Sequence, residues 1–501
     1  MVDESGERVA FKANQRWLSD PFGGTGSPRT VLVVPSVSLD SAGLVKIPGV
    51  NHYEERLLFL LQLLRRPRTE ITYITSEAIA PEVVDYAFDL VPSLPRAHAR
   101  GRLTLLDCAS REPIPLSAKV LRRPDLLARL RAAVHDPADA VLVTYNSTPV
   151  ERELAVALGV PLFAADPDLA PLGSKTGSRE LFTGAGVPVV EGLDGLRDTA
   201  DVVAALAELR GRDAAMGTAM VKLNDSFGAG GNVLFSFAGA PSTGLADWVR
   251  RELPRRAVFA SPPDTWEDYR AKLDSMGGVV ERFVEGEETA SPSAQVMLSP
   301  DGGVRLLTTH DQVLGGAEKQ IFVGCTFPAR AEYRMQVQEL ALRAGRALAA
   351  RSVVGVCSID FVSVRTGGQW HHHGLEVNLR MGGGTTPYFL LHSLVEGDYD
   401  PTTAQYRAPD GTPVAFYATD RLYQDAYRAL APADVIALLV DEGLQYRVRD
   451  RVGVAAYMLG ALEIGRFGVV VIGPDTTSAL ADYRRLVSVV DEWAASRAAR
   501  V

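Results

Sequence analysis

Two short segments bring together residue types suited to metal and phosphate chemistry. GVCSIDFV is followed by HGLEVNLRMGGG, which sets Asp360, Glu376, Asn378 and Arg380 on two neighbouring runs. Both runs are apolar enough to read as strands, close enough to pair as a hairpin. Alternate residues of a strand share a face, so Glu376, Asn378 and Arg380 point the same way. Two carboxylates and an amide oxygen are hard ligands that suit Mg²⁺ bound together with phosphates. An arginine closing the row can stabilise charge that develops on a transferring phosphoryl group. A polar strand face without function is the plainer alternative. The flanking Leu375, Val377 and Leu379 give the polar row a defined side and favour the metal site.

Two lysines add to this. Lys222 ends the strand AMVKL, just before SFGAGGN. A strand-end lysine can reach phosphates while a glycine loop (Ser226, Gly228, Gly230, Gly231) closes backbone N–H groups over them. No Gly-Lys-Ser/Thr follows, so this is not the loop of P-loop enzymes. Lys175, at the start of KTGSRELF, reads in isolation as a solvated surface lysine. The run VVERFVEGEE offers a short apolar edge (Glu281, Arg282, Phe283, Val284) that suits a purine slot. Glu288, seven residues beyond Glu281, is a carboxylate able to accept ribose hydroxyls. Charge at a strand exit is common, so this run decides little alone. His310 and Asp311 in TTHDQVL, and Arg305 before them, are further polar residues on one expected strand, equally compatible with structural roles. The three histidines His371 to His373 after Trp370 are expected in a hairpin turn. Adjacent strand residues face opposite ways, so they cannot easily converge on a metal.

These residues need elements to hold them. VLVVPSVS, ITYIT (Ile71–Thr75), RLTLLD and AVLVTY (Ala140–Tyr145) read as buried strands. They alternate with helical runs at YEERLLFLLQLLRR, PEVVDYAFDLV and RPDLLARLRAAV. Strand–helix alternation is the pattern of a doubly wound parallel sheet, so residues 25 to about 168 read as a Rossmann-like α/β domain. It lacks the glycine turn of a dinucleotide site. A second unit opens near Gly173 with the helix KTGSRELFTGAG, then a helix at TADVVAALAELR and the strands AMVKL and NVLFSF. From Gly278 strands dominate: GVVERFV, SAQVML, VRLLTTHDQVL, and after the helix RMQVQELALRAGRALAAR the hairpin above. The last hundred residues read as a small α+β cap, with a helix at Pro432–Glu442, strands near Val454–Leu462 and Gly468–Ile472, and a closing helix from Thr477.

The whole chain has 501 residues, enough for about three domains. Its composition is 47% hydrophobic and 23% charged, as ordinary globular proteins are. A net charge of -9 argues against a general nucleic-acid binder, which needs a basic surplus. No stretch is apolar enough to span a membrane, and the N-terminal MVDESGERVAFK does not read as a secretory signal. Cys108, Cys325 and Cys357 lack metal spacing and suit a reducing cytoplasm.

From about Gly173 to Leu391 these signals occur in the order found in the ATP-grasp superfamily, which the chain resembles. The resemblance implies a nucleotide held between two α+β subdomains. It implies phosphate-binding roles for Lys175, Lys222 and the glycine loop, and an adenine hinge at Glu281–Val284. It also implies a ribose-binding Glu288, Mg²⁺ ligands Asp360, Glu376 and Asn378, and a charge-stabilising Arg380. Some relatives place an arginine two residues before the aspartate; Ser358 stands there instead. His310, on the strand toward the acceptor side in that family, is expected to orient the amine or the acyl phosphate. Residues 31–172 resemble the pre-ATP-grasp domain, and the SKTGSRELF passage with the tail from VGVAAYMLGAL to VVIGP resembles the pheganomycin-type peptide ligases. The expected organisation is a pre-ATP-grasp Rossmann-like domain (1–168), an ATP-grasp domain (169–400) and a C-terminal peptide-ligase-type domain (401–501). The implied activity is ATP-dependent: a small carboxylic acid or amino-acid derivative becomes an acyl phosphate and is joined to an amine, such as a peptide N-terminus, in secondary metabolism. A kinase stopping at a phosphorylated product, or a nucleotide binder without turnover, is the alternative. Small-molecule substrates, no nucleic acid, no membrane and a homodimer complete the expectation.

Overall fold

The computed structural model describes residues 4–23, 27–39, 41–225, 231–260, 265–315 and 321–498. Three sheets organise them. Strands β1 (Thr30–Val34), β2 (Glu70–Thr75), β3 (Leu103–Asp107) and β4 (Ala140–Thr144) form a parallel sheet in the order β3-β2-β1-β4. Every residue of β1 and β4 is buried. That fits continuous apolar runs covered on both faces rather than alternating ones. The expected segment YEERLLFLLQLLRR is helical, but Val50–Arg65 winds as a 3₁₀ helix, far beyond the usual 3–4 residues of that form.

Within this domain the Glu54 carboxyl is buried. It accepts from the Ser76 N–H (2.5 Å) and Oγ (2.6 Å), with Lys119 donating to the same hydroxyl at 2.8 Å. Burial outweighs these partners and pushes its pKa up to about 7. A carboxyl whose folded pKa is raised holds a proton the unfolded chain has released. Its contribution is therefore largest below pH 4.5 and is lost as pH rises toward 7. We expect Glu54→Gln to remove about 3 kcal/mol of that pH dependence. Urea unfolding at pH 5 and pH 8 checks this, and equal slopes in both proteins would contradict it.

The second sheet is antiparallel, in the order β5-β9-β6-β7-β8, from β5 (Gly192–Leu196), β6 (Thr218–Leu223), β7 (Asn232–Ser236), β8 (Val258–Phe259) and β9 (Gly278–Arg282). Helices Thr199–Arg212, Leu245–Arg256 and Trp266–Met276 supply its core with Leu206, Val249 and Leu273, against Val221 and Phe235. The third sheet holds β10 (Glu288–Ala290), β11 (Pro292–Leu298), β12 (Val304–Gly315), β13 (Ile321–Phe327), β14 (Gly355–Thr366) and β15 (Gln369–Asn378). It also holds β16 (Asp398–Asp400), β17 (Gln405–Arg407), β18 (Pro413–Tyr423), β19 (Gly453–Tyr457) and β20 (Arg466–Gly473). The last hundred residues are not separate from it: β18 pairs with β13, and β20 with β18 and β19. The segment expected as strand to Leu462 instead turns into a 3₁₀ helix at Leu459–Ile464.

The helix Lys175–Gly184 ties the second sheet to the third. Ser174 caps its start by accepting from Gly177 N–H. Lys175 N–H donates to the Asn224 carbonyl after β6 (3.0 Å), while Ser178 Oγ accepts from Val377 N–H on β15 (3.0 Å). Phe182 packs under Gly374, where an added Cβ would lie 2.7 Å from its ring. Among the described residues no helix is long and apolar enough to cross a membrane.

Candidate active site

Register explains the polar face. Asp360 on β14 lies opposite Glu376 on β15 and Ser293 on β11, and Ser293 in turn opposes His310 on β12. One row therefore runs Glu376–Asp360–Ser293–His310 across four strands. Beside it runs a second, Asn378–Ser358–Gln295–Thr308. Directly opposed residues share a face, as do residues two apart. A bulge after Asp360 leaves Leu375 without a counterpart, at the point where the pairing passes from Glu376 to Gly374. Such bulges re-aim side chains beside functional sites.

All residues of the two rows except Thr308 line a cleft of about 800 Å³. The polar ends of the first three predicted ligands converge: Asn378 Nδ2 donates to Asp360 Oδ2 (3.0 Å) and Glu376 Oε1 (3.3 Å). Arg380 Nη2 donates to Asn378 Oδ1 at 3.2 Å. The amide's oxygen and nitrogen are exchangeable by rotation, and a flip would turn three oxygens toward one point. Burial raises the Asp360 pKa, against Ser293, Arg380 and Lys175. A carboxylate held there calls for a cation.

Lys175 supplies one, forming an ion pair with Glu376. Both predicted lysines are buried and line the cleft. Burial, then the neighbouring charge of Lys222, push the Lys175 pKa down to about 8. Lys222 donates to Glu281 Oε2 (2.5 Å), and Arg179 donates to Glu281 Oε1 (2.6 Å). Burial alone would raise the Glu281 pKa, but Lys222 and Arg179 hold it below the ordinary range. The solvated reading of Lys175 is thus overturned: in the fold it is walled in and faces carboxylates.

The remaining expectations divide. Arg282, Phe283 and Val284 line the cleft, though the Arg282 guanidinium is also tied to Asp213 (2.7 Å) and Glu191 (2.9 Å). Glu288 does not line it; its carboxylate pairs with Arg330 and with Arg365 (3.3 Å). Gly231 sits at the start of β7, its carbonyl accepting from Leu223 N–H. Ser226, Gly228 and Gly230 lie outside the described residues. His310 reaches the cleft, paired through Nδ1 with Thr308 Oγ1 (3.1 Å), and burial pushes its pKa down to about 4. Asp311 points the other way, to Tyr333 Oη (2.6 Å), and Arg305 packs on Met297. Trp370 to His373 are not in a turn; they belong to β15, and the turn falls at Gly367 and Gly368. His372 is satisfied by Ser363 and Gln336, each at 2.7 Å.

Sequence reading missed the cleft's other end. Tyr53, Arg56 and Tyr145 reach it from the N-terminal domain, and Asp420, Arg421 and Arg466 from β18 and β20. Gln295, a single polar residue inside the apolar run SAQVML, was also missed because it carries no spacing signal, and Arg179 reads as one more charge on a polar helix start.

The chain is similar to several known proteins. The IQCH-like ATP-grasp family matches residues 242–382. An L-propargylglycine–L-glutamate ligase of Streptantibioticus cattleyicolor is 34% identical over 467 residues, covering 91% of this chain and 92% of that protein. IQ motif-containing protein H of Danio rerio is 22% identical over 386 residues, 68% of this chain and 36% of that one. Among solved structures, the biotin carboxylase domain of a Hydrogenobacter thermophilus 2-oxoglutarate carboxylase, in complex with MgADP, ADP and bicarbonate, aligns with a TM-score of 0.55. It covers 92% of this chain and 89% of that one. An N5-carboxyaminoimidazole ribonucleotide synthetase in an ADP complex aligns at 0.51, over 92% and 96%. At 12% identity these two share the fold.

Proposed function

The chain belongs to the ATP-grasp ligases, and from that premise we propose that it joins a small carboxylic acid to an amine through an acyl phosphate, with ATP as the energy source. The supporting observation is the cleft itself: a row of two carboxylates and an amide closed by Arg380, with buried Lys175 paired to Glu376 and buried Lys222 lining the same cleft beside Glu281.

In this reading Lys175 and Lys222 bind the phosphates, exchanging their ion pairs with Glu376 and Glu281 for phosphate oxygens. Asp360, Glu376 and Asn378 are an all-oxygen donor set of the kind Mg²⁺ prefers, and no cluster of three or more His, Cys, Asp or Glu that could hold a metal lies among the described residues. These three side chains would hold Mg²⁺, which would supply charge neutralisation for the phosphates during transfer. The substrate carboxylate attacks the γ-phosphorus, the bond to the β-phosphate oxygen breaks, and ADP leaves. The amine then attacks the acyl carbon, losing a proton as phosphate departs and the amide forms. Arg380 stabilises charge on the departing phosphate. His310, neutral at ordinary pH, positions the acyl group or the amine by hydrogen bonding. Water must be kept out, because an acyl phosphate hydrolyses readily.

The Streptantibioticus relative is named for joining L-propargylglycine and L-glutamate, so amino acids and short peptides are the first substrates to try. A reducing, cytoplasmic setting suits the three free, buried cysteines. The test is ADP release from Mg-ATP over a matrix of small acids, amino acids and short peptides, with products weighed by mass spectrometry. A product of mass acid plus amine minus water supports the ligase. A phosphorylated acid accumulating without need of amine would instead make it a kinase.

A further inference from the structure

The cleft's far end is built entirely from the two flanking parts of the chain. Arg56 comes from the helix Val50–Arg65, Tyr145 from the end of β4, Asp420 from β18 and Arg466 from β20. Asp420 ion-pairs with Arg56 and accepts from Arg466 Nη2 at 3.1 Å. Arg56 also donates to Tyr145 Oη (3.2 Å) and Met458 Sδ (3.3 Å), and Arg466 to Tyr53 Oη (2.5 Å). Both guanidinium groups lie against the Tyr53 ring, at 4.1 and 5.1 Å from its centroid.

Charge and hydrogen-bond capacity do not balance here. Three guanidinium groups, counting Arg421, act on one buried carboxylate and hold the Asp420 pKa low against burial. Each guanidinium has five N–H donors, and Arg56 and Arg466 each spend three of them on the partners above and the Asp420 carbonyl. The hydroxyls of Tyr53 and Tyr145 accept from the arginines, which leaves their own O–H hydrogens to donate. Among the described residues Asp420 is the only acidic side chain in this wall of the cleft, and the arginines already use both its oxygens. The wall therefore presents donors and positive charge to the cleft. A planar anion with two acceptor oxygens completes it.

The wall also has a fixed relation to the reaction centre. Met381, next to Arg380, donates its N–H to the Tyr145 carbonyl (3.2 Å). The Arg380 that serves transfer and the Tyr145 that flanks Arg56 are thus parts of one continuous backbone contact.

We propose that Arg56, Arg466, Tyr53 and Tyr145 form a subsite for a substrate carboxylate that does not react, held while the chemistry occurs at the phosphate end. The proposal rests on the ligase reading and adds the substrate class: at least one substrate is an amino acid or peptide with a spectator carboxylate. That carboxylate belongs either to the acceptor amine or to a dicarboxylate donor, and the test separates these.

Wild type and Arg466→Gln are compared on an active pair from the ADP-release matrix, each substrate also supplied with its spectator carboxylate converted to a carboxamide. In wild type the amide of one partner raises its KM about 10- to 100-fold, the range of a charge-assisted pair. A penalty on the acceptor's amide assigns the subsite to the acceptor; one on the donor's amide assigns it to the donor. In Arg466→Gln that penalty falls below about threefold while the KM for ATP stays within about twofold. Tyr145→Phe, which keeps the ring, gives a smaller loss of the same sign. Equal use of acids and amides by wild type, or an undiminished penalty in Arg466→Gln, overturns the proposal. If no pair turns over, the ligase reading fails separately. Saturation-transfer NMR of L-glutamate and its α-amide with ADP present then decides: an acid-selective signal lost in Arg466→Gln supports the subsite, and any other pattern overturns it.

Discussion

Glu376→Gln is expected to lower ATP-dependent amide formation about 10³-fold, or about 4 kcal/mol of transition-state stabilisation, while leaving the fold intact. The reason lies in what the side chain touches. Glu376 shares a row with Asp360, accepts from Asn378 at 3.3 Å and ion-pairs with Lys175. Glutamine keeps its volume but removes one of two negative charges from the metal-ligand set. It also strips the buried Lys175 of its partner. These two effects are separable. A lost metal ligand raises the Mg²⁺ concentration needed for half-maximal activity, whereas a disturbed Lys175 weakens ADP binding even without metal. We expect the first to dominate, measured as rate against Mg²⁺ at saturating ATP. Activity within tenfold of wild type, at an unchanged Mg²⁺ requirement, would remove Glu376 from the ligand set.

How much of this was legible beforehand depended on the kind of signal. The doubly wound domain was readable because both faces of its sheet are buried, so β1 and β4 appear as unbroken apolar runs. The Asp360, Glu376 and Asn378 cluster was readable because the strand period and a short hairpin bring near-neighbours in sequence together. Strand β18 was missed although it too is buried almost throughout, because Thr419, Asp420 and Arg421 interrupt the apolar run of PVAFYATDRLY. With it went Asp420 and Arg421; Arg56 lies in a segment that reads as helical, but as the third of three consecutive charges, Glu54–Glu55–Arg56, it has nothing local to mark its role. Arg56 and Asp420 are separated by 364 residues and meet only because β18 joins the third sheet. No spacing rule reaches that far. Glu288 failed from the same cause: its arginine partners Arg330 and Arg365 are distant in sequence and become neighbours through strand pairing and the loop after β13.

Glu281→Gln is expected to lower unfolding stability by about 3–5 kcal/mol and to make it unusually dependent on nucleotide. Glu281 is buried between Arg179 and Lys222, at 2.6 and 2.5 Å. Removing its charge leaves two cations in a desolvated pocket with no anion between them, which is costlier than never having buried the trio. In wild type the Glu281 pKa is held low, so its contribution is present above pH 4.5 and fades as pH falls below it. The variant has nothing to lose there, and its acid transition should be shallower. Bound ADP can stand in for the missing anion, and saturation at about 100 times Kd restores about 2.7 kcal/mol in any protein that binds only when folded. We expect a larger rescue in the variant than in wild type, because phosphate there also supplies the counter-charge to Lys222. Urea titrations of both proteins with and without ADP measure it. Equal rescue would mean that Glu281 holds the second sheet together without tuning the lysine, and that the two roles are separable in this cleft.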